Sequence, residues 1–292
     1  MKILVIGASS KIGKYISSKN NLLTYNNNKI KNGIKFDIAK DDIKKILNKF
    51  KITSVIFLSA ISDPDECIKK KKYSNLVNFI NTKKIIGELI KRNIYFIFFS
   101  SEYIFSGKNG NYNEESVVKP NNLYGRQKFL IEKFIKKKTN NYAIFRIART
   151  YGDKLNDNTL ITNFLAELIK GKREFFIASD QKFNPLYARD LKKIIKKFII
   201  KNIKGTYNVG GDQKLSRFDC INIILNSLNY KHKKKIKLNK ISFSNFKTVD
   251  NRPFNTTFNV NKLKKKANIS MTKFEKVVKK IIIKYEINKT FT

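Results

Sequence analysis

The stretch Ile3-Leu4-Val5-Ile6-Gly7-Ala8-Ser9-Ser10-Lys11-Ile12-Gly13 decides how the rest of the chain is read. Four apolar residues have the length of a buried strand, and the glycine after them marks a tight turn. A helical pattern follows at once, from Lys11 to Lys19. Small residues between a strand and a helix leave backbone N–H groups free, and these can receive the pyrophosphate of a dinucleotide. Gly7 and Gly13 keep the outer positions of a G-x-x-G-x-x-G spacing, with Ser10 in place of the middle glycine. Such a turn is common by itself, so its weight depends on what lies downstream. The apolar run also breaks too early for a secretory signal and reads as the first strand of a domain.

Downstream, short apolar runs alternate with helix-length amphipathic segments. Strands are expected near Leu22 to Tyr25, Ser54 to Ser59, Tyr95 to Ser100 and Ala143 to Ile147. Helices are expected near Asp41 to Lys49, Asn75 to Arg92 and Asn122 to Lys137. This alternation predicts an α/β fold, a doubly wound parallel sheet of the Rossmann type with ligands at the carboxyl ends of its strands. After about residue 150 the pattern loosens. It gives a helix near Thr159 to Lys170, a strand at Phe175 to Ile177, and helices near Ala188 to Lys201 and Ser216 to Leu228. The expected organisation is a dinucleotide-binding domain over residues 1–150 and a smaller, mainly substrate-binding lobe over 151–292. Part of that second half is free to return to the main sheet.

Lys and Arg number 62 against 22 Asp and Glu, a formal net charge of +40 over 292 residues. A nucleic-acid reader concentrates such charge on one face, often among aromatics. Here the lysines recur everywhere, as in Lys69 to Lys72, Lys136 to Lys138 and Lys264 to Lys266, on the polar sides of helical patterns. They read as solvated surface from a genome rich in A and T. Nucleic acid is therefore not an expected partner, although a positive field draws in phosphate-bearing substrates. No apolar run reaches the roughly 18 residues of a membrane span. Cys67 and Cys220 lack metal-ligand spacing and suit reduced thiols in a cytoplasm. The single histidine, His232, lies in a lysine-rich stretch, so neither a metal site nor a Ser-His-Asp triad is expected.

A second stretch carries chemistry. Ser100-Ser101 ends an apolar strand, and about two dozen residues later comes Tyr124-Gly125-Arg126-Gln127-Lys128. On a helix, Tyr124 and Lys128 lie one turn apart on the same face. An ammonium beside a phenol favours the phenolate, which is expected to lower the Tyr124 pKa and let it exchange a proton with a substrate oxygen. The Ser101 hydroxyl can hold the same oxygen. A Tyr-x-x-x-Lys pair alone is ordinary helix surface; in chain order after the glycine turn it reads as a carbonyl-reducing set.

At these residues the sequence resembles the extended short-chain dehydrogenases/reductases, and among them the dTDP-4-dehydrorhamnose reductase-like family. Ser100-Ser101-Glu102-Tyr103-Ile104-Phe105-Ser106-Gly107 is similar to that family's S-T-D-Y-V-F-x-G, and leads through Tyr112, Glu114 and Pro120 to Tyr124. Asn184-Pro185-Leu186-Tyr187-Ala188-Arg189-Asp190-Leu191 and Asn251-Arg252-Pro253 resemble later family segments, so the likeness spans nearly the whole chain. It implies that Gly7, Ser10, Lys11, Ile12 and Gly13 contact cofactor phosphates, with Asp37 and Ile38 beside the adenine. Ser59 and Ala60 would border the ribose next to the nicotinamide, with Asn78 one layer behind. Ser101, Tyr124 and Lys128 become the catalytic set, Lys128 also holding that ribose. Arg252 becomes a candidate for the substrate's phosphates, its guanidinium suiting bidentate recognition. Tyr187 and Asp190 are assigned packing and capping only.

The implied activity is NAD(P)H-dependent reduction of a 4-keto nucleotide sugar, most simply dTDP-4-dehydro-L-rhamnose, by a cytoplasmic protein for which a homodimer is compatible. Ser101 replaces a threonine and keeps its hydroxyl. Glu102-Tyr103 lacks the paired Asp-Glu of sugar-nucleotide dehydratases, which argues against dehydration. The second strand runs into Asn26-Asn27-Asn28-Lys29 with no carboxylate before Asp37, so nothing there repels a 2′-phosphate. NADP(H) is therefore expected to be preferred, with NAD(H) usable. Two alternatives stay open: a non-catalytic NADP-binding regulatory subunit of the same fold, and a sugar-nucleotide epimerase.

Overall fold

The computed structural model describes residues 2–18, 20–229 and 233–287; His232 and Lys19 lie outside the described residues. Strand β1 (Ile3–Ile6) is followed by β2 (Leu22–Tyr25), β3 (Ile34–Lys35), β4 (Ser54–Phe57), β5 (Tyr95–Ser101) and β6 (Tyr142–Ile147). The second half supplies β7 (Thr150–Tyr151), β8 (Glu174–Ala178), β9 (Lys182–Phe183), β10 (Leu186–Tyr187), β11 (Gly205–Val209), β12 (Leu215–Ser216) and β13 (Lys237–Ile241). Seven of these form one parallel sheet in the order β11-β6-β5-β4-β1-β2-β3. From β1 the chain winds one way through β2 and β3, then returns to β4 and winds the other way. The reversal between β1 and β4 opens the crevice where this architecture takes its ligands.

Strand β5 explains why the sheet is covered on both sides. All seven of its residues are buried, and an apolar run with period-2 side chains feeds both faces at once. Ile97 and Phe99 join Phe145, Leu191 and Phe198 on one face; Phe96 and Phe98 join Leu4, Ile86 and Ile131 on the other. A third cluster, with Phe164, Phe175, Ile221 and Val278, packs the second half around β8 and the helices Leu160–Ile169, Arg217–Asn226 and Phe274–Lys284. Among the described residues, no helix is long and apolar enough to cross a membrane.

Besides elements that the sequence pattern did not mark, such as β3, β13 and the helix Phe274–Lys284, three departures stand out. The first helix is only Gly13–Ile16. The helix expected over residues 75–92 is broken: Lys71–Asn75 runs into a wider π-type turn, Leu76–Asn81, before Thr82–Lys91. Strand β11, which carried no strand signal, returns to the main sheet beside β6. Its Asn208 is fully buried, donating its N–H to Glu114 Oε1 at 2.8 Å and its Nδ2 to the Tyr112 carbonyl at 2.9 Å. A polar residue held by these two bonds breaks an apolar pattern without breaking the strand, although its Oδ1 is buried with no partner among the described residues. Six asparagines, Asn32, Asn93, Asn111, Asn158, Asn202 and Asn268, hold left-handed conformations with φ between 45° and 59°.

Candidate active site

The glycine turn sits at the end of β1 against the end of β4. Gly7 has φ +86°, and a Cβ there would meet Ser59 atoms at 3.0 Å, so the two strand ends touch. Gly7 N–H donates to Thr24 Oγ1 at 3.1 Å and Ala8 N–H to the Thr24 carbonyl at 2.9 Å, pinning the turn to β2. A side chain at Gly13 would collide with the Ala8 carbonyl. Ser10 Oγ accepts from the Gly13 N–H at 3.0 Å. The N–H groups of Lys11 and Ile12 have no acceptor among the described residues. Such free donors at a strand-to-helix turn fit the diphosphate of a dinucleotide. Lys11 Nζ itself donates to the Asn158 carbonyl at 3.0 Å, strapping the turn to the second half.

The residues implied for the rest of a dinucleotide line the neighbouring strand ends. Asp37 Oδ1 accepts from the Ala39 N–H at 2.8 Å, while Ile38 is buried and its carbonyl accepts from Asn81 Nδ2 at 2.8 Å. Ser59 and Ala60 are half-buried just past β4. Behind them Asn78, carried on the π-type turn, bonds both the N–H and the carbonyl of Ile61 at 2.9 Å and donates to Gln127 at 2.8 Å. That turn is what aims Asn78 at the strand end.

Ser101 closes β5, and Tyr124 and Lys128 lie on the helix Leu123–Lys138. Asn122 starts that helix, its side chain accepting from the Gly125 N–H at 2.7 Å. Lys128 is buried; its Nζ donates to the Phe99 carbonyl at 2.7 Å and lies 5.7 Å from the Tyr124 ring centroid. Glu132, on the same helix face, is fully buried and forks onto Arg146 of β6 at 2.9 Å.

The electrostatics correct one expectation. Burial pushes the Tyr124 phenol up, above its ordinary value, and a hydrogen bond with Ser101 offsets this only in part. Burial also pulls Lys128 down to about 7, so its charge is weakened where the sequence pattern assigned it full strength. Tyr124 is therefore held as the neutral phenol, the form that donates a proton. Glu102, next to Ser101, received no role of its own in the site from the sequence pattern. It is buried, accepts from Thr256 Oγ1 at 3.0 Å, and burial pushes it up to about 7. Arg252 stands between two carboxylates, 3.3 Å from Asp63 and 3.1 Å from Asp65. Tyr187 bonds Asp153 and Asp190 caps Thr272, structural roles both.

The family described as the RmlD substrate binding domain matches residues 1–287. The chain belongs to that family. Among relatives, the dTDP-4-dehydrorhamnose reductase of Aggregatibacter actinomycetemcomitans is 24% identical over 96% of this chain and 98% of its own. Methionine adenosyltransferase 2 subunit beta of Xenopus tropicalis is 25% identical over 61% of this chain; the chain spans only 55% of that relative's length. Among solved structures, dTDP-4-dehydrorhamnose reductase of Bacillus anthracis, in complex with NADP, aligns with TM-score 0.82 at 23% identity, covering 97% of this chain and 99% of that one. At this identity the structural likeness establishes a shared family fold, the extended Rossmann architecture.

Proposed function

We propose that the chain is an NADPH-dependent reductase of a 4-keto nucleotide sugar, with dTDP-4-dehydro-L-rhamnose as the first substrate to test. The observation that carries this reading is the meeting of Ser101, Tyr124 and Lys128 at the β5 end, beside the crevice holding the glycine turn. NADPH, when bound, supplies the hydride, with Gly7, Ser10, Lys11, Ile12 and Gly13 at its phosphates, Asp37 and Ile38 at its adenine and Ser59 and Ala60 at its inner ribose. The Tyr124 phenol gives its proton to the substrate's carbonyl oxygen, and the Ser101 hydroxyl holds that oxygen in line. Lys128 keeps positive charge near the phenolate that forms. The reading is tested by following NADPH absorbance with a panel of keto nucleotide sugars; no turnover on any of them removes it.

One relative supports a second reading. Likeness to a methionine adenosyltransferase beta subunit favours a non-catalytic partner protein, which would show a stoichiometric partner and no turnover. The intact Ser101, Tyr124 and Lys128 speak for the reductase. A sugar-nucleotide epimerase would instead purify with tightly held NAD, visible in its ultraviolet absorbance.

Two outcomes follow from the site. Lys128 carries its charge below about 7 and loses it above. If the ammonium supports the proton transfer, kcat/KM, which reports the free enzyme, falls as pH rises beyond about 7. Glu102 titrates in the same range, so the limb must persist in Glu102→Gln. A profile flat from roughly pH 6 to 9 discards the role for the charge.

The second concerns the cofactor. Strand β2 ends at Tyr25, and Asn26, Asn27, Asn28 and Lys29 after it are exposed, with no carboxylate to repel a 2′-phosphate. NADPH is expected to be used at least as efficiently as NADH in steady-state rates at low cofactor concentration. A tenfold advantage for NADH, roughly 1.4 kcal/mol, contradicts this use of the strand end.

A further inference from the structure

Other arginines in this chain are matched to carboxylates: the buried Arg146 to Glu132, the largely buried Arg252 to Asp63 and Asp65, and even the exposed Arg189 to Asp153. Arg149 and Arg217, both half-buried, are not; neither makes an ion pair among the described residues. A partly desolvated guanidinium without an anion is costly, which marks the position for a ligand that supplies one.

The two converge on the candidate active site from different halves of the chain. Arg149 follows β6 and donates to the Tyr103 hydroxyl at 3.3 Å; Tyr103 meets the Tyr124 ring edge-on, with centroids 6.3 Å apart. Arg149 also lies over the Phe183 ring at 5.1 Å. Phe183 is on β9, which pairs with β12, and Arg217 is the next residue after β12. Arg217 Nε donates to Gln181, whose amide in turn reaches the Pro253 carbonyl at 3.5 Å, beside Arg252. Burial, with the charges of Arg149 and Arg252 adding to it, pulls Arg217 down to about 9. The Glu102 carboxyl, which feels both guanidinium charges, is itself buried and pushed up to about 7, so it is a weak counter-charge.

We propose that Arg149 and Arg217 form the anion-binding pair of the substrate pocket, holding a charged group of the nucleotide sugar within reach of Tyr124. The proposal rests on the nucleotide-sugar reading above. Two neighbouring guanidinium forks suit either the diphosphate or a carboxylate on the sugar, both being oxyanions that accept paired N–H donors.

The test titrates the purified full chain, with NADPH present, with dTDP-glucose, UDP-glucose and UDP-glucuronate by calorimetry. Arg149→Gln and Arg217→Gln are compared with the wild type, and Arg149→Lys and Arg217→Lys serve where a Gln variant loses its cooperative thermal transition. Weakening of all three ligands by tenfold or more supports the pair as a diphosphate site. Weakening confined to UDP-glucuronate supports it as a site for a sugar carboxylate. Wild-type affinities retained in both folded variants overturn the proposal. A wild type that binds none of the three overturns the nucleotide-sugar reading itself, and the proposal with it.

Discussion

Tyr124→Phe is expected to lower turnover by on the order of a hundredfold or more while leaving cofactor affinity nearly unchanged. The substitution removes the hydroxyl and keeps the ring, so the edge-on contact with Tyr103 and the burial of the helix face survive. What is lost is the proton donor and its hydrogen bond with Ser101. Because Tyr124 and Ser101 are both buried, water has limited access to take over as proton donor. The check is a steady-state comparison of kcat beside a titration of NADPH, with folding verified by thermal unfolding. Near-normal kcat in a folded Tyr124→Phe protein removes Tyr124 from the mechanism.

Glu132→Gln is expected to cost about 3–5 kcal/mol of stability, the range for stranding one partner of a buried ion pair. Both Glu132 and Arg146 are 1% exposed at the side chain. Arg146 donates Nε and Nη2 to the carboxylate and Nη1 to the Glu114 carbonyl at 2.9 Å, so its position is fixed by three donors. A glutamine keeps the shape and leaves the guanidinium charge buried, with Lys136 Nζ, now 3.9 Å from Glu132, adding a second cation. Glu132 also lies one helical turn beyond Lys128, so the pair locks the reactive helix to β6. Denaturant unfolding of the variant measures the loss. A change below about 1 kcal/mol shows the pair to be dispensable.

The sheet and the grouping of Ser101, Tyr124 and Lys128 were legible because both rest on local patterns: apolar runs of strand length such as Tyr95 to Phe99, and a Tyr-Lys spacing of one helical turn. What stayed hidden depends on distant partners. Asn208 looks like a strand breaker until Glu114 and Tyr112, nearly a hundred residues earlier, accept from its backbone N–H and its Nδ2. Arg149 and Arg217 read as two of many basic residues, and only the β9–β12 pairing makes them neighbours. The upward shift of Tyr124 was missed for the same reason: spacing supplies the lysine, but burial comes from the assembled sheet and outweighs it.

The left-handed asparagines bear on how an asparagine-rich, glycine-poor chain makes its reversals. Asn93, Asn202 and Asn268 fall at or just past helix ends, the place where glycine is ordinarily favoured because it lacks a Cβ. Asparagine is the side chain best able to tolerate that region, by bonding to its own backbone. The chain therefore makes its reversals with only 12 glycines, keeping some of them, Gly7 among them, where backbone must approach backbone. Asparagine thus carries the left-handed residues at these helix ends, and glycine is kept where the crevice needs it.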